Sequence, residues 1–196
     1  MSTDLVATGG DRYLARKAIF SFFGKKFHVY DPSGASLQYF VHQKGFRLKE
    51  AITVYRDEGK TQKLLEIKAR SVMDFSGTYD VTDATTGQVV GALKRQGFKS
   101  MLRDEWSILD ASGAEVGKVM EDSMAAAMIR RVLSNLIPQS FTATIGEVEV
   151  ASFDQHFNPF VAKFDIDFSM DTGKLLDRRL GIAAVVMLLA IEGRQQ

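Results

Sequence analysis

The 196-residue chain contains no cysteine. That excludes disulfides, thiolate nucleophiles and cysteine-built zinc sites, and it suits a reducing compartment. Proline occurs 3 times and tryptophan once, so no proline-rich linker divides the chain. Neither sign of charge dominates, because 25 Lys and Arg against 24 Asp and Glu leave a net charge of +1. The global basic field of a nucleic-acid-binding protein is therefore missing. No apolar stretch reaches the roughly 20 residues a membrane-spanning helix needs. Catalytic signatures are missing too. There is no Gly-x-Ser-x-Gly elbow. Gly59-Lys60-Thr61 imitates the end of a phosphate-binding loop, but Val54 stands where that loop needs its upstream glycine, so the segment reads as a turn. His28, His42 and His156 are scattered, and Asp154 with His156 on one strand face supplies too few ligands for zinc. The expectation is a non-enzymatic protein with no cofactor and no metal.

What the chain does have is one long apolar helix. From Leu180 to Ile191 there is no polar side chain. A helix apolar all round has no face to offer water and must be enclosed. It is predicted to begin near Thr172 or Lys174 and to stop at Gly193, about 19 residues spanning about 28 Å. A second helix is predicted from Met124 to Leu136, where Ile129, Val132, Leu133 and Leu136 form one buried stripe and Pro138 follows.

The remainder reads as short strands. Phe27–Gly34, Tyr79–Gly87 and Trp106–Gly113 share a pattern: an alternating run ending in Asp, then a turn closed by Gly. The Asp accepts hydrogen bonds from turn amides and the Gly supplies positive φ, which predicts β-hairpins. Gly91 and Gly117 lie inside the return strands of the last two, as at bulges or barrel corners. Further strands are predicted at Leu37–Val41, Ala51–Tyr55, Leu64–Ala69, Val89–Lys94, Glu115–Val119, Phe141–Ile145, Val148–Asp154 and Phe160–Phe168. Their spacing suits a sandwich or barrel. Residues 1–11, without the apolar core of a signal peptide, are expected to be a flexible lead-in, and residues 12–193 a single domain. The expected location is cytoplasmic, peripheral at the membrane.

Four segments, Tyr79–Asp83, Ser100–Trp106, Phe157–Phe160 and Asp177–Leu180, together with the terminal apolar helix, resemble the LURP-one-related and phospholipid-scramblase-like proteins of the tubby C-terminal-like superfamily. The resemblance implies a mainly β fold: a closed antiparallel barrel of about twelve strands around a hydrophobic C-terminal helix. Tubby domains bind phosphoinositides through basic side chains on the barrel surface, and scramblases are tied to phospholipid movement between leaflets. The chain departs from scramblases in having no cysteine for palmitoyl anchoring.

The basic stretch Lys94, Arg95, Lys99 and Arg103 is the candidate headgroup site. Four cations within ten residues can meet a phosphate or an anionic surface. The plain alternative is a solvated strand edge, where lysines discourage edge pairing. Lys25-Lys26 are candidate neighbours, and Arg130-Arg131 read as ordinary solvated charges. Asp165, Asp167, Asp171 and Asp177 suggest calcium, but Met170 and Leu176 occupy the positions an EF-hand loop gives to Gly and Glu. The expected function is binding of a phospholipid or phosphoinositide headgroup, or peripheral attachment to a membrane. The alternatives are a protein-interaction scaffold without lipid affinity and, more weakly, a scramblase-like activity.

Overall fold

Four aspartates organise the hairpins. In the computed structural model, which describes residues 10–17, 25–43, 51–71, 77–96, 105–122, 138–157 and 161–192, each accepts hydrogen bonds from the turn that follows it. Asp31 Oδ1 accepts from the amides of Ala35 at 3.0 Å and Ser36 at 3.1 Å. Asp83 Oδ1 accepts from Thr85 at 2.8 Å and Thr86 at 3.2 Å. Asp110 Oδ1 accepts from Ser112 at 2.9 Å and Ala114 at 3.0 Å. Gly34, Gly87 and Gly113 take the positive φ that these turns need, at 74°, 75° and 87°. Asp57 adds a fourth copy. It binds the hydroxyl and amide of Thr61, and Lys60 rather than glycine adopts φ 58°. Gly59-Lys60-Thr61 is thus a turn.

The strands that these turns join are β1 (Arg12–Lys17), β2 (Lys25–Tyr30), β3 (Leu37–Gln43), β4 (Ile52–Tyr55), β5 (Lys63–Ala69) and β6 (Thr78–Asp83). They continue as β7 (Val89–Arg95), β8 (Glu105–Leu109), β9 (Glu115–Glu121), β10 (Ser140–Ile145), β11 (Val148–Gln155) and β12 (Lys163–Asp167). Each pairs antiparallel with its neighbours in sequence, and β1 pairs with β12 to close the barrel. Closure leaves no sheet edge exposed.

Each described tight hairpin carries a bulge near the start of its return strand. In the β2–β3, β4–β5, β6–β7, β8–β9 and β10–β11 pairs the register slips by one residue, leaving Gln38, Leu64, Val90, Val116 and Val150 opposite no partner. The first four recur every 26 residues, at positions 38, 64, 90 and 116. An extra residue bends a strand and increases its twist, so a repeated bulge curls the sheet at one end. Gly91 and Gly117 directly follow two of these bulges. A β-carbon on Gly91 would strike the carbonyl oxygen of Leu109, and one on Gly117 that of Thr144.

Alternate strand residues point inward. Phe27 and Val29 of β2, Trp106 and Ile108 of β8, and Phe141 and Ala143 of β10 are all at most 3% exposed. A barrel of twelve strands is wider than side chains alone fill, and helix α1 (Arg178–Glu192) occupies the centre. Its residues from Ile182 to Ala190 are buried and join the strand residues in one core.

Helix α1 begins later than its composition suggests. Residues 169–177 form turns, because Asp171 accepts from the amides of Leu175 at 2.8 Å and Leu176 at 3.1 Å. Asp177 then caps the helix, accepting from the Arg179 amide at 2.9 Å. The 15-residue helix is about 22 Å long. Its N-terminus lies at the end of the barrel with the aspartate turns, tied there by Arg178 to Asp11 at 2.8 Å and Arg179 to Asp83 at 2.9 Å. Its last turn has no basic residue, but Lys25, at the start of β2, donates from Nζ to the Ala190 carbonyl at 2.7 Å. The strand expected over Phe160–Phe168 is confined to Lys163–Asp167 in the described residues. The helix expected over Met124–Leu136 lies outside them.

Candidate functional site

Lys94 and Arg95 are neighbours in sequence but point to opposite faces of β7, since side chains alternate along a strand. Leu93 is in the core, which puts Lys94 on the outer face. Arg95 pairs in register with Trp106 at the barrel's inner rim, its guanidinium carbon 6.0 Å from the indole centroid. Lys99 and Arg103 lie outside the described residues, as do Arg130 and Arg131. The stretch is therefore not one surface in its described half.

The register supplies Lys94 with different companions. It pairs with Thr78 on one side and Ser107 on the other. Ser107 pairs with Lys118, and Lys118 with Thr144. Each of these residues alternates with a core residue on its own strand, so all five share the outer face. The result is a row of hydroxyl, ammonium, hydroxyl, ammonium, hydroxyl across β6–β10. Strands lie about 4.8 Å apart, so the two lysine stems emerge about 10 Å apart, close enough for both ammoniums to reach one phosphate. Ser107 is fully buried, and its hydroxyl accepts from Gln96 Nε2 at 2.6 Å. Thr144 Oγ1 is buried with no hydrogen-bond partner among the described residues.

Acidic residues border the lysines: Glu105 stands two residues from Ser107 on β8, and Glu149 pairs with Thr144. Asp80, outward-facing two residues from Thr78 on β6, is held by Arg70 through contacts of 2.6 Å and 3.1 Å to Oδ1. Neither Lys94 nor Lys118 has an ion pair or hydrogen bond among the described residues. Lys118 was not singled out from sequence, because it stands far from the basic stretch. The signal that could have found it is the Asp110–Gly113 turn, whose bulged hairpin sets the pairing of Ser107 with Lys118.

The other polar candidates serve the scaffold. Asp165 pairs with His156 at 2.7 Å and Asp167 with Arg12 at 2.9 Å, while Asp171 and Asp177 cap the chain at the helix entrance. His28 meets Glu58 at 2.8 Å, and His42 Nδ1 lies 3.1 Å from Lys60 Nζ. Those last contacts pin the β4–β5 turn over Phe40, an outward-facing ring left only 2% exposed. Trp106 is a core residue at 3%. Lys25 supports the helix end, and Lys26 beside it is exposed.

A family model described as LURP-one-related matches residues 37–189, from β3 to the last turn of α1. No curated protein matches the chain.

Proposed function

The chain belongs to the LURP-one-related family, and from that premise we propose that it is a non-enzymatic binding module for anionic phospholipid or phosphoinositide headgroups. The observation that carries this reading is the outer-face row Thr78, Lys94, Ser107, Lys118 and Thr144. Two ammoniums supply charge and donors to a phosphate, while the hydroxyls of the row lie buried between and beside them. The likeness to tubby domains, whose basic barrel surface binds phosphoinositides, supports the same reading. Recognition is electrostatic, so affinity falls steeply with salt. The working location is the membrane periphery.

In this reading the helix stays inside the barrel and does not insert into lipid. Among the described residues no helix is long and apolar enough to cross a membrane. Extracting α1 would expose a run of buried side chains at about 1.5–3 kcal/mol for each large one, and would empty the barrel. Scrambling by helix insertion is disfavoured on that ground. A protein scaffold needs a contiguous apolar patch; among the described residues the exposed large apolar side chains are Val89, Val148, Met170 and Leu175 at the aspartate-turn end and Phe157 at the other.

The test is co-sedimentation of Lys94→Glu/Lys118→Glu with vesicles containing phosphatidylinositol phosphates, at low and physiological salt. The expected result is a loss of binding of at least roughly tenfold, since each cation near an anionic surface contributes about 1 kcal/mol, with an unchanged melting temperature. Undiminished binding by the folded double variant would overturn the assignment of the row.

A further inference from the structure

The barrel has two unlike ends. At the end where α1 enters, Asp31, Asp57, Asp83 and Asp110 close the hairpins and Asp171 and Asp177 cap the helix approach. At the end where α1 finishes, the strand termini carry Lys17 on β1, Lys25 and Lys26 on β2, Lys68 on β5, and Lys94 and Arg95 on β7. Glu105, Glu121 and Asp122 interrupt this rim on β8 and β9. Among the described residues, the cations of this end therefore form an arc from β1 round to β7, and Asp154 near the end of β11 adds a further acid outside it.

Part of this polarity answers the helix itself. A helix macrodipole places about half a positive charge at its N-terminus and half a negative charge at its C-terminus. The aspartates surround the first and the lysines surround the second, with Lys25 bonded to the Ala190 carbonyl. Half a charge, however, is satisfied by one lysine. The remaining cations, among them the exposed Lys26 and Lys68, exceed what the helix end requires. A molecule with a charge dipole along its barrel axis turns in the field of a charged surface before it touches.

We propose that the protein docks end-on to anionic membranes, with the C-terminal end of α1 and the β1–β7 arc facing the lipid and the aspartate turns facing away. This rests on the lipid-binding reading and adds its orientation. Lys94 lies at the membrane-facing end of β7, so the headgroup row would begin at the lipid surface. The aspartate turns would meet repulsion from the same surface, which makes the reverse approach unfavourable.

The experiment compares two charge reversals of equal size on vesicles of phosphatidylcholine with phosphatidylserine. Lys26→Glu/Lys68→Glu alters the basic end, and Lys63→Glu/Lys174→Glu alters exposed lysines at the aspartate end. The first pair should weaken binding at least roughly tenfold and the second less than about twofold, with melting temperature checked for each. Because the chain has no cysteine, Ser71→Cys and Ala111→Cys can each carry one environment-sensitive dye. Vesicles should shift the emission of the dye at position 71 and leave that at 111 unchanged. Equal weakening by both pairs, or equal shifts at both dyes, would leave lipid binding standing and overturn the orientation. If the unaltered protein binds no vesicle at either salt concentration, the lipid reading itself falls and the orientation with it.

Discussion

Nη1 of Arg179, in the first turn of α1, lies 2.9 Å from Oδ2 of Asp83 at the end of β6. The same guanidinium holds Asp177, with Nη2 2.7 Å from Oδ2. Asp83 meanwhile uses Oδ1 to bind Thr85 and Thr86. One carboxylate thus fixes a hairpin turn and the entry point of the central helix.

Removing either partner should destabilise the barrel. Asp83 is 7% exposed as a residue, so Arg179→Ala leaves a shielded carboxylate without its cation. A fully buried pair broken in this way costs about 3–5 kcal/mol. The Arg179 side chain is 21% exposed, which scales the expectation to about 2–3 kcal/mol. Urea denaturation measures it, and a change under about 0.5 kcal/mol would show the contact to be incidental.

Acid should unfold the protein through its turn aspartates. Burial works to raise the Asp83 carboxyl, but the Thr85 hydroxyl and amide and the Arg179 guanidinium outweigh it and hold the group below its usual value. Asp31, held by the Ser36 amide and Ser33 hydroxyl, and Asp110, held by the Ser112 hydroxyl and Ala114 amide, are lowered as well. A carboxyl that is more acidic folded than unfolded stabilises the fold above its unfolded value of about 3.9, and this is lost as pH falls through the folded value. These carboxyls therefore leave the melting temperature level from neutral pH down to about pH 5, then falling below about pH 4. A melting temperature unchanged to pH 2 would contradict this.

The bulge glycines differ from the turn glycines in what they forbid. Gly117→Ala drives a methyl into the Thr144 carbonyl oxygen across the β9–β10 ladder. Gly87→Ala meets open space and bears only the strain of φ 75°. We expect a loss of about 2–3 kcal/mol for the first, in the range for overpacking, and about 1 kcal/mol for the second. Thermal melts of the two variants compare them directly, and equal losses would mean that the close approach of β9 and β10 is not required.

Much of this architecture is legible in the residues, and the exceptions have physical causes. The Asp-to-Gly turns mark three hairpins because their chemistry is local. The fourth hides because Lys60 accepts positive φ in place of glycine. Strand β1 is weakly signalled, since only Tyr13 and Ala15 of its six residues face the core. Helix α1 shows its apolar body but not its start, which depends on the side chains of Asp171 and Asp177 capping turns rather than extending the helix. The site is harder still. Proximity in sequence groups Lys94 with Arg95, while the two-residue period of a strand separates them and hairpin register brings Lys118 into the row with Lys94.

The enclosed helix offers its own test. Val186 is fully buried, so Val186→Asp places an uncompensated carboxylate at the centre of the barrel. Loss of folding at neutral pH is expected, because a buried unpaired charge costs several kcal/mol. A folded variant with unchanged stability would mean that the helix is not held inside.

The most direct test of the account is flotation of the unaltered protein with neutral, phosphatidylserine-containing and phosphoinositide-containing vesicles at low and physiological salt. The expected result is no binding to neutral vesicles and binding to both anionic kinds that weakens as salt rises, persisting longest with phosphoinositide. Absence of the protein from every floated fraction at both salt concentrations would contradict it.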